Sequence, residues 1–269
     1  MNRLLHRLAL LFLMAFALLT TLMVTRLALG QVNPPWATPV TTLACFLFAV
    51  CHACARLGWR PAVTLVVLSF GISLACESLG VATGWVYGPY VYSSQLGPKF
   101  LGLVPYLIPL AWFMMMYPSF LIARWLIPNG PRRWLRGLIL AAVAAAIMTS
   151  WDLMMDPLMV QGGYWTWLVP GPYFGVPLQN YLGWWLTTFL TFGVFLLFWP
   201  GQIETGGSAG PAAGRWDGWA FVSFLVTAVG NGVAALVNGL AGPALVGLFA
   251  MGPWLLLGWW KALATGNFS

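Results

Sequence analysis

Apolar residues in this chain fall into long runs separated by short polar punctuation. A helix crosses the hydrocarbon core of a bilayer with about 20 mostly apolar residues. Runs of that kind occupy Leu8–Leu29, Thr38–Ala55, Ala62–Val81, Val104–Ile127, Gly137–Met155, Leu178–Trp199, Trp219–Val237 and Gly242–Trp260. The pattern predicts an all-α fold: a polytopic transmembrane helical bundle of about eight spans, forming one integral membrane domain over residues 1–269. The second and seventh runs carry the weakest signal, being short or rich in Gly and Asn.

The punctuation tests the count. If eight helices alternate, Arg3, Arg7, Arg56, Arg60, Arg124, Arg132, Arg133, Arg136, Arg215 and Lys261 fall on one side, and Arg26 and Lys99 on the other. By the positive-inside bias both termini are expected in the cytoplasm, with the chain in a bacterial cytoplasmic membrane. Arg3 and Arg7, the apolar run and Ala28-Leu29-Gly30 resemble a secretory signal. The run to Val24 exceeds the roughly 7–15 residues of a cleaved segment, so a retained anchor is expected. The long connections Ala82–Leu103 and Pro157–Pro177 then lie outside the cytoplasm, dense in Trp, Tyr, Gly and Pro. Gly201–Arg215, rich in Gly, Ala and Ser, reads as a flexible cytoplasmic linker.

The two aromatic connections echo one another. Gly97-Pro-Lys-Phe-Leu-Gly-Leu-Val-Pro105 aligns with Gly171-Pro-Tyr-Phe-Gly-Val-Pro177 when two residues are dropped, and each copy places a Trp seven residues past its last Pro, Trp112 and Trp184. Upstream, Glu77 precedes Gly84 and an aromatic by the seven residues that also separate Asp156 from Gly163 and an aromatic. Spans three and four would thus repeat in spans five and six as a parallel repeat, with the two carboxylates in related positions around a shared cavity.

Composition agrees with the span pattern. Charged residues are 6% of the chain and hydrophobic ones 61%, with a mean hydropathy of +0.84; an ordinary soluble domain carries about 25% charged residues. A soluble cytosolic enzyme is excluded. The 17 Trp, 17 Phe and 8 Tyr argue against disorder. Twelve Lys and Arg against five Asp and Glu give +7, but the basic residues are scattered rather than striped, so no nucleic-acid partner is expected. The excess is a topology signal.

Few polar groups remain to carry chemistry. Of the five acids, Glu204 and Asp217 lie in or beside the linker and are expected to be solvated. Glu77, Asp152 and Asp156 lie within spans, near their extracytoplasmic ends. Ionisable groups there are costly and usually face a cavity or one another. At helical spacing, Ser69, Ser73, Glu77 and Gly80 form one stripe and Thr149, Asp152 and Asp156 another. Asn180, Trp184, Thr187 or Thr188 and Thr191 share a face, as do Thr227, Asn231 and Asn238. The Ser, Thr and Asn stripes alone are better explained as helix-binding contacts. Three carboxyls are not, because no Lys or Arg in these spans offers a partner, and a carboxyl without one in apolar surroundings tends to keep its proton. Cys51-His-Ala-Cys54 lacks a second pair or a following His, so neither zinc nor haem is indicated. The cysteines read as small buried hydrophobes and His52 as interfacial. No nucleotide-binding fingerprint, serine elbow or multi-His array is present.

An acid among aromatic faces suits protonation of an electron-rich alkene, since aromatic rings stabilise the resulting cation. The chain resembles the membrane carotenoid hydratases, which add water across the 1′,2′ double bond at the acyclic ψ-end of a carotenoid. The resemblance rests on Glu77-Ser-Leu-Gly-Val-Ala-Thr-Gly84, Tyr87-Gly-Pro-Tyr90-Val-Tyr92, Leu96-Gly-Pro98, Val104-Pro105 and Trp112. It continues through Asp152-Leu-Met-Met-Asp156-Pro157, Gly163-Tyr-Trp165-x-Trp167, Phe174-Gly-Val-Pro177 and Asn180-Tyr-Leu-Gly-Trp184, so it is strongest over residues 70–190. It implies hydration, without cofactor or metal, of a γ-carotene- or lycopene-type end or of a related C50 precursor, with bilayer, substrate and water as partners. On this reading one of Glu77, Asp152 and Asp156 protonates C2′ and another positions the water that attacks C1′, with Asp152 or Asp156 favoured as donor. Asn180 orients water or a carboxyl. Trp85, Tyr90, Trp112, Trp165 and Trp184 wall the cation and the polyene.

Three rival readings remain. Acid-driven cyclisation, as in membrane lycopene cyclases, shares the protonation step. An intramembrane prenyltransferase would use Asp152-x-x-x-Asp156 for a magnesium diphosphate, but a second Asp-rich motif and basic residues are missing. A proton-coupled carrier would use intramembrane carboxyls as a relay, yet the cytoplasmic halves of the spans are nearly bare of polar groups.

Overall fold

The computed structural model describes residues 2–130, 132–204 and 218–264. Eight helices cover them: α1 (Asn2–Ala28), α2 (Ala37–Leu57), α3 (Trp59–Thr83), α4 (Leu107–Leu126), α5 (Arg133–Gln161), α6 (Leu178–Phe198), α7 (Gly218–Val237) and α8 (Ala241–Ala264). All eight are long and apolar enough to cross a membrane, the second and seventh included. In lipid a helix satisfies its own backbone, which is why these runs fold as they do. This is a polytopic membrane bundle.

The core sits around α4, whose span is the most buried of the eight, with α5 next. Helix α4 packs on α2, α3, α5, α7 and α8, while α6 packs on α3 and α5, and α1 on α2 and α7. Small residues permit the closest approaches. A Cβ on Gly258 of α8 would come 1.9 Å from the Phe221 ring of α7, and one on Gly247 would come 2.5 Å from Met154 Sδ of α5.

One end of the bundle is tied by basic side chains. Arg124 gives hydrogen bonds to Gln202 Oε1 (3.0 Å) and Glu204 O (2.7 Å), and Arg136 to Pro128 O (2.9 Å) and Ile127 O (3.1 Å). Glu204 is half-exposed and pairs with Arg133 at 3.7 Å. The segment expected to be a flexible linker over 201–215 begins differently: a 3-10 turn at Pro200–Gln202 buries Gln202 and Ile203 beneath Arg124 and Leu57. Its remainder, with Arg215 and Asp217, lies outside the described residues. His52, expected at the interface, is buried within the bundle, stacked on Phe48 with Nδ1 2.8 Å from the Tyr117 hydroxyl. Cys45 is buried, and the other three free cysteines are half-buried.

The opposite end carries the two aromatic connections, and these contain short strands the apolar pattern does not announce. They are β1 (Tyr90–Tyr92), β2 (Lys99–Phe100), β3 (Val104–Pro105) and β4 (Trp165–Trp167). Strand β2 pairs with β3 inside its own connection, whereas β1 pairs antiparallel with β4 across the two, Tyr90 opposite Trp167 and Tyr92 opposite Trp165. Helix α5 runs past Pro157, where the sequence suggests it stops, and ends at Gln161. Proline has no N–H for the carbonyl four residues earlier; the Tyr173 hydroxyl donates to that freed Leu153 carbonyl at 2.8 Å.

Candidate active site

Period-two spacing places Tyr90 and Tyr92 on one face of β1, and Trp165 and Trp167 on one face of β4. Each pair serves one buried carboxyl. Both tyrosine hydroxyls donate to Glu77 Oε2, Tyr92 at 2.8 Å, and Trp112 Nε1 donates to Glu77 Oε1 at 2.9 Å. Trp165 and Trp167 donate their indole N–H groups to Asp156 Oδ1 at 2.8 and 3.3 Å. The two sets touch: the Tyr90 and Trp167 rings lie 5.0 Å apart and the Tyr92 and Trp165 rings 5.8 Å.

Asn180, near the start of α6, joins the aspartates. Its Nδ2 gives one hydrogen bond to Asp152 Oδ2 (2.7 Å) and one to Asp156 Oδ2 (2.8 Å). Asp152 Oδ1 is buried without a hydrogen-bond partner. Among the described residues, none of the three carboxyls forms an ion pair with a lysine or arginine; Lys99, in the same connection as Tyr90 and Tyr92, donates to the Tyr92 carbonyl. Donor chemistry separates the sites. Asp156 faces three N–H groups, none able to accept, while Glu77 faces two hydroxyls that can do either.

Below the ladder, Trp112 of α4 and Trp184 of α6 stack at 4.1 Å, with Trp151 of α5 edge-on to Trp184 at 5.8 Å. Trp112 and Trp184 are the positions the sequence echo aligns, and their rings meet face to face. Tyr87 is held between α3 and α6. A Cβ on Gly80 would lie 2.8 Å from its ring and one on Gly183 2.6 Å, and its hydroxyl is 2.9 Å from Thr187 Oγ1. Burial, and then the field of Glu77, push the hydroxyls of Tyr87, Tyr90 and Tyr92 well above the usual tyrosine range. Tyr173 rises to about 12, from burial and then Asp152.

These groups border a cavity of about 880 Å³. Glu77, Asp156, Asn180, Tyr90, Trp112, Trp165 and Trp184 line it, as the sequence suggests, together with Thr227 and Asn231 of α7 and Asn238 just beyond it. Asp152 stands behind them, linked through Asn180 rather than lining the space. Trp85 is a correction: the residue is 77% exposed and lies outside the cavity, because the chain turns at Gly84 (φ +74°) and sends Trp85 outward, with its backbone N–H donating to Thr83 Oγ1 and its carbonyl accepting from Gln179. Tyr87, Tyr92, Trp151 and Trp167 were missed as wall residues; for Tyr92 and Trp167 the signal was the aromatic-x-aromatic spacing. Part of the polar stripes serves packing: Ser69 donates to Met116 Sδ (3.3 Å), and Thr149 and Thr191 bond to carbonyls one turn back.

Eight helices long and apolar enough to cross a membrane, around a carboxyl-bearing, aromatic-walled cavity, define an integral membrane protein with an internal site. A family model described as carotenoid biosynthesis protein matches residues 37–253, and the chain belongs to that family. It is 38% identical over 125 residues to the bisanhydrobacterioruberin hydratase of Haloarcula japonica, a match covering 46% of this chain and 40% of that protein. The chain therefore spans about two-fifths of the length of that relative. No solved structure matches it.

Proposed function

We propose that this protein is a carotenoid hydratase, adding water across the terminal trisubstituted double bond of an acyclic ψ-end group. The observation that carries the reading is that Glu77 and Asp156, on different helices, line one cavity and are each held by aromatic donors. In place of the aspartate donor that the sequence favours, we assign the proton donor as Glu77, because the Tyr90 and Tyr92 hydroxyls can accept from its protonated form and donate once the proton has left. The proton goes to C2′, leaving a tertiary cation at C1′ against the faces of Trp112 and Trp184. Water attacks C1′ and passes a proton to Asp156, whose N–H partners suit a carboxylate, with Asn180 setting its position. Return of that proton to Glu77 through cavity water closes the cycle. The net change is alkene plus water to tertiary alcohol, which calls on no redox step.

Cyclisation would share the first step. The hydroxyls and amides lining this cavity, among them Thr41, Thr42, Asn231 and Asn238, favour water as the trap. A diphosphate substrate is disfavoured, since no lysine or arginine among the described residues lines the space. The Lys and Arg bias supports an orientation with the strand-bearing end outside the cytoplasm. The test is expression in a lycopene-accumulating bacterial host with analysis of the pigment. A more polar product heavier by one water supports the reading; an isomer of unchanged mass points to cyclisation and overturns it.

A further inference from the structure

The cavity is larger than the acid site requires. Beyond Glu77 and Asp156 it continues between α1 and α7, where Met23, Val24 and Leu27 stand on one helix and Ala234 and Val237 on the other. Apart from Glu77 and Asp156, its described lining has no acidic side chain, and no Lys, Arg or His. Thr20, Asn231 and Asn238 punctuate this wing without adding charge, so its occupant is uncharged. The outer faces of the same two helices carry Leu18, Leu22, Val229 and Leu236, each more than half exposed, so the seam between them lies against lipid. Its floor is a contact with no side chain on one partner: a Cβ on Gly230 would come 2.5 Å from Thr20 Cγ2.

A long molecule with its end group at Glu77 and Asp156 must lodge its remainder elsewhere. The stacked Trp112 and Trp184 and the β1–β4 ladder close the acid site on their own sides. Toward α1 and α7 the cavity continues. We propose that this wing is the berth of a long uncharged polyene chain, and that the seam is where that chain passes into the bilayer. The inference rests on the hydratase reading for the placement of the end group. Because the far end stays in lipid, each binding event exposes one end group to the carboxyls.

A reversible lock tests this. An ideal Cβ on Gly230 lies 4.0 Å from Thr20 Cβ, inside the roughly 3.5–4.5 Å span of a disulfide. The double variant Thr20→Cys/Gly230→Cys, in a background lacking the four native cysteines, is compared with itself oxidised and reduced. Two substrates are used: a full-length ψ-end carotenoid, and a short isoprenoid alkene bearing the same end group. Oxidation should slow hydration of the carotenoid by about tenfold or more and that of the short alkene by less than about threefold. It should also lower the polyene pigment retained on purification. Equal slowing of both substrates, or of neither, overturns the berth. If the wild-type protein hydrates neither substrate but oxidation still lowers pigment retention, the hydratase reading has failed and the berth has not. Ala234→Trp, which fills the wing without a cross-link, should give the same carotenoid-selective loss.

Discussion

Among the described residues, replacing Asn180 by Ala removes the one side-chain donor of Asp152, whose other oxygen already has no partner, and one of the three donors of Asp156. Both bonds are short, 2.7 and 2.8 Å, and Asn180 is buried. A hydrogen bond to a charged group contributes about 1.5–3 kcal/mol and a neutral one about 1 kcal/mol. If one carboxyl of the pair is ionised, the loss of folding stability is roughly 3 kcal/mol. Turnover should fall further than stability suggests, by about 100-fold, because the amide sets the position of the group that takes a proton from water. Thermal unfolding in detergent reads the first effect and product formation from a ψ-end carotenoid the second. A double-mutant cycle with Asp152→Ala should show coupling of about 1–3 kcal/mol. Turnover within about threefold of wild type, or additivity within about 0.5 kcal/mol, would refute the reasoning.

Three further outcomes are expected. Tyr90→Phe and Tyr92→Phe each remove a donor from Glu77 Oε2, so each should lower kcat by about tenfold with little change in KM, read from initial rates. Trp85→Ala, at a position 77% exposed, should leave turnover within about twofold; a tenfold loss would return its ring to the site. The raised hydroxyls of Tyr87, Tyr90 and Tyr92 stay protonated in the fold while unfolded tyrosines ionise near pH 10. Their contribution is fully present below about pH 10 and is lost as pH rises beyond it, so melting temperature should drop on the alkaline side, less steeply in Tyr87→Phe.

Span count and type were legible because lipid leaves a chain few options, and the apolar runs announce helices whatever surrounds them. The three carboxyls and Asn180 were legible because an uncompensated polar group in such a run must converge on others. Direction within the connections was not. Gly84, with positive φ, turns Trp85 outward and Tyr87 inward, and a string of aromatics does not say which of them point in. Pro157 looked like a helix stop because the sequence cannot display the Tyr173 hydroxyl that takes up the orphaned carbonyl. The walls given by α1 and α2 were hidden for a related reason: nearly uniform hydrophobicity leaves little to separate a cavity-facing side from a lipid-facing one.

The account stands on acid hydration by Glu77 and Asp156. Purified protein, given a ψ-end carotenoid in deuterium oxide enriched in oxygen-18 and no added cofactor, should yield a tertiary alcohol bearing one deuterium at C2′ and one heavy oxygen at C1′. Glu77→Gln should abolish both labels, whereas Asp156→Asn should suppress the oxygen label more than deuterium exchange into recovered alkene. Full incorporation of both labels by the two variants would contradict it.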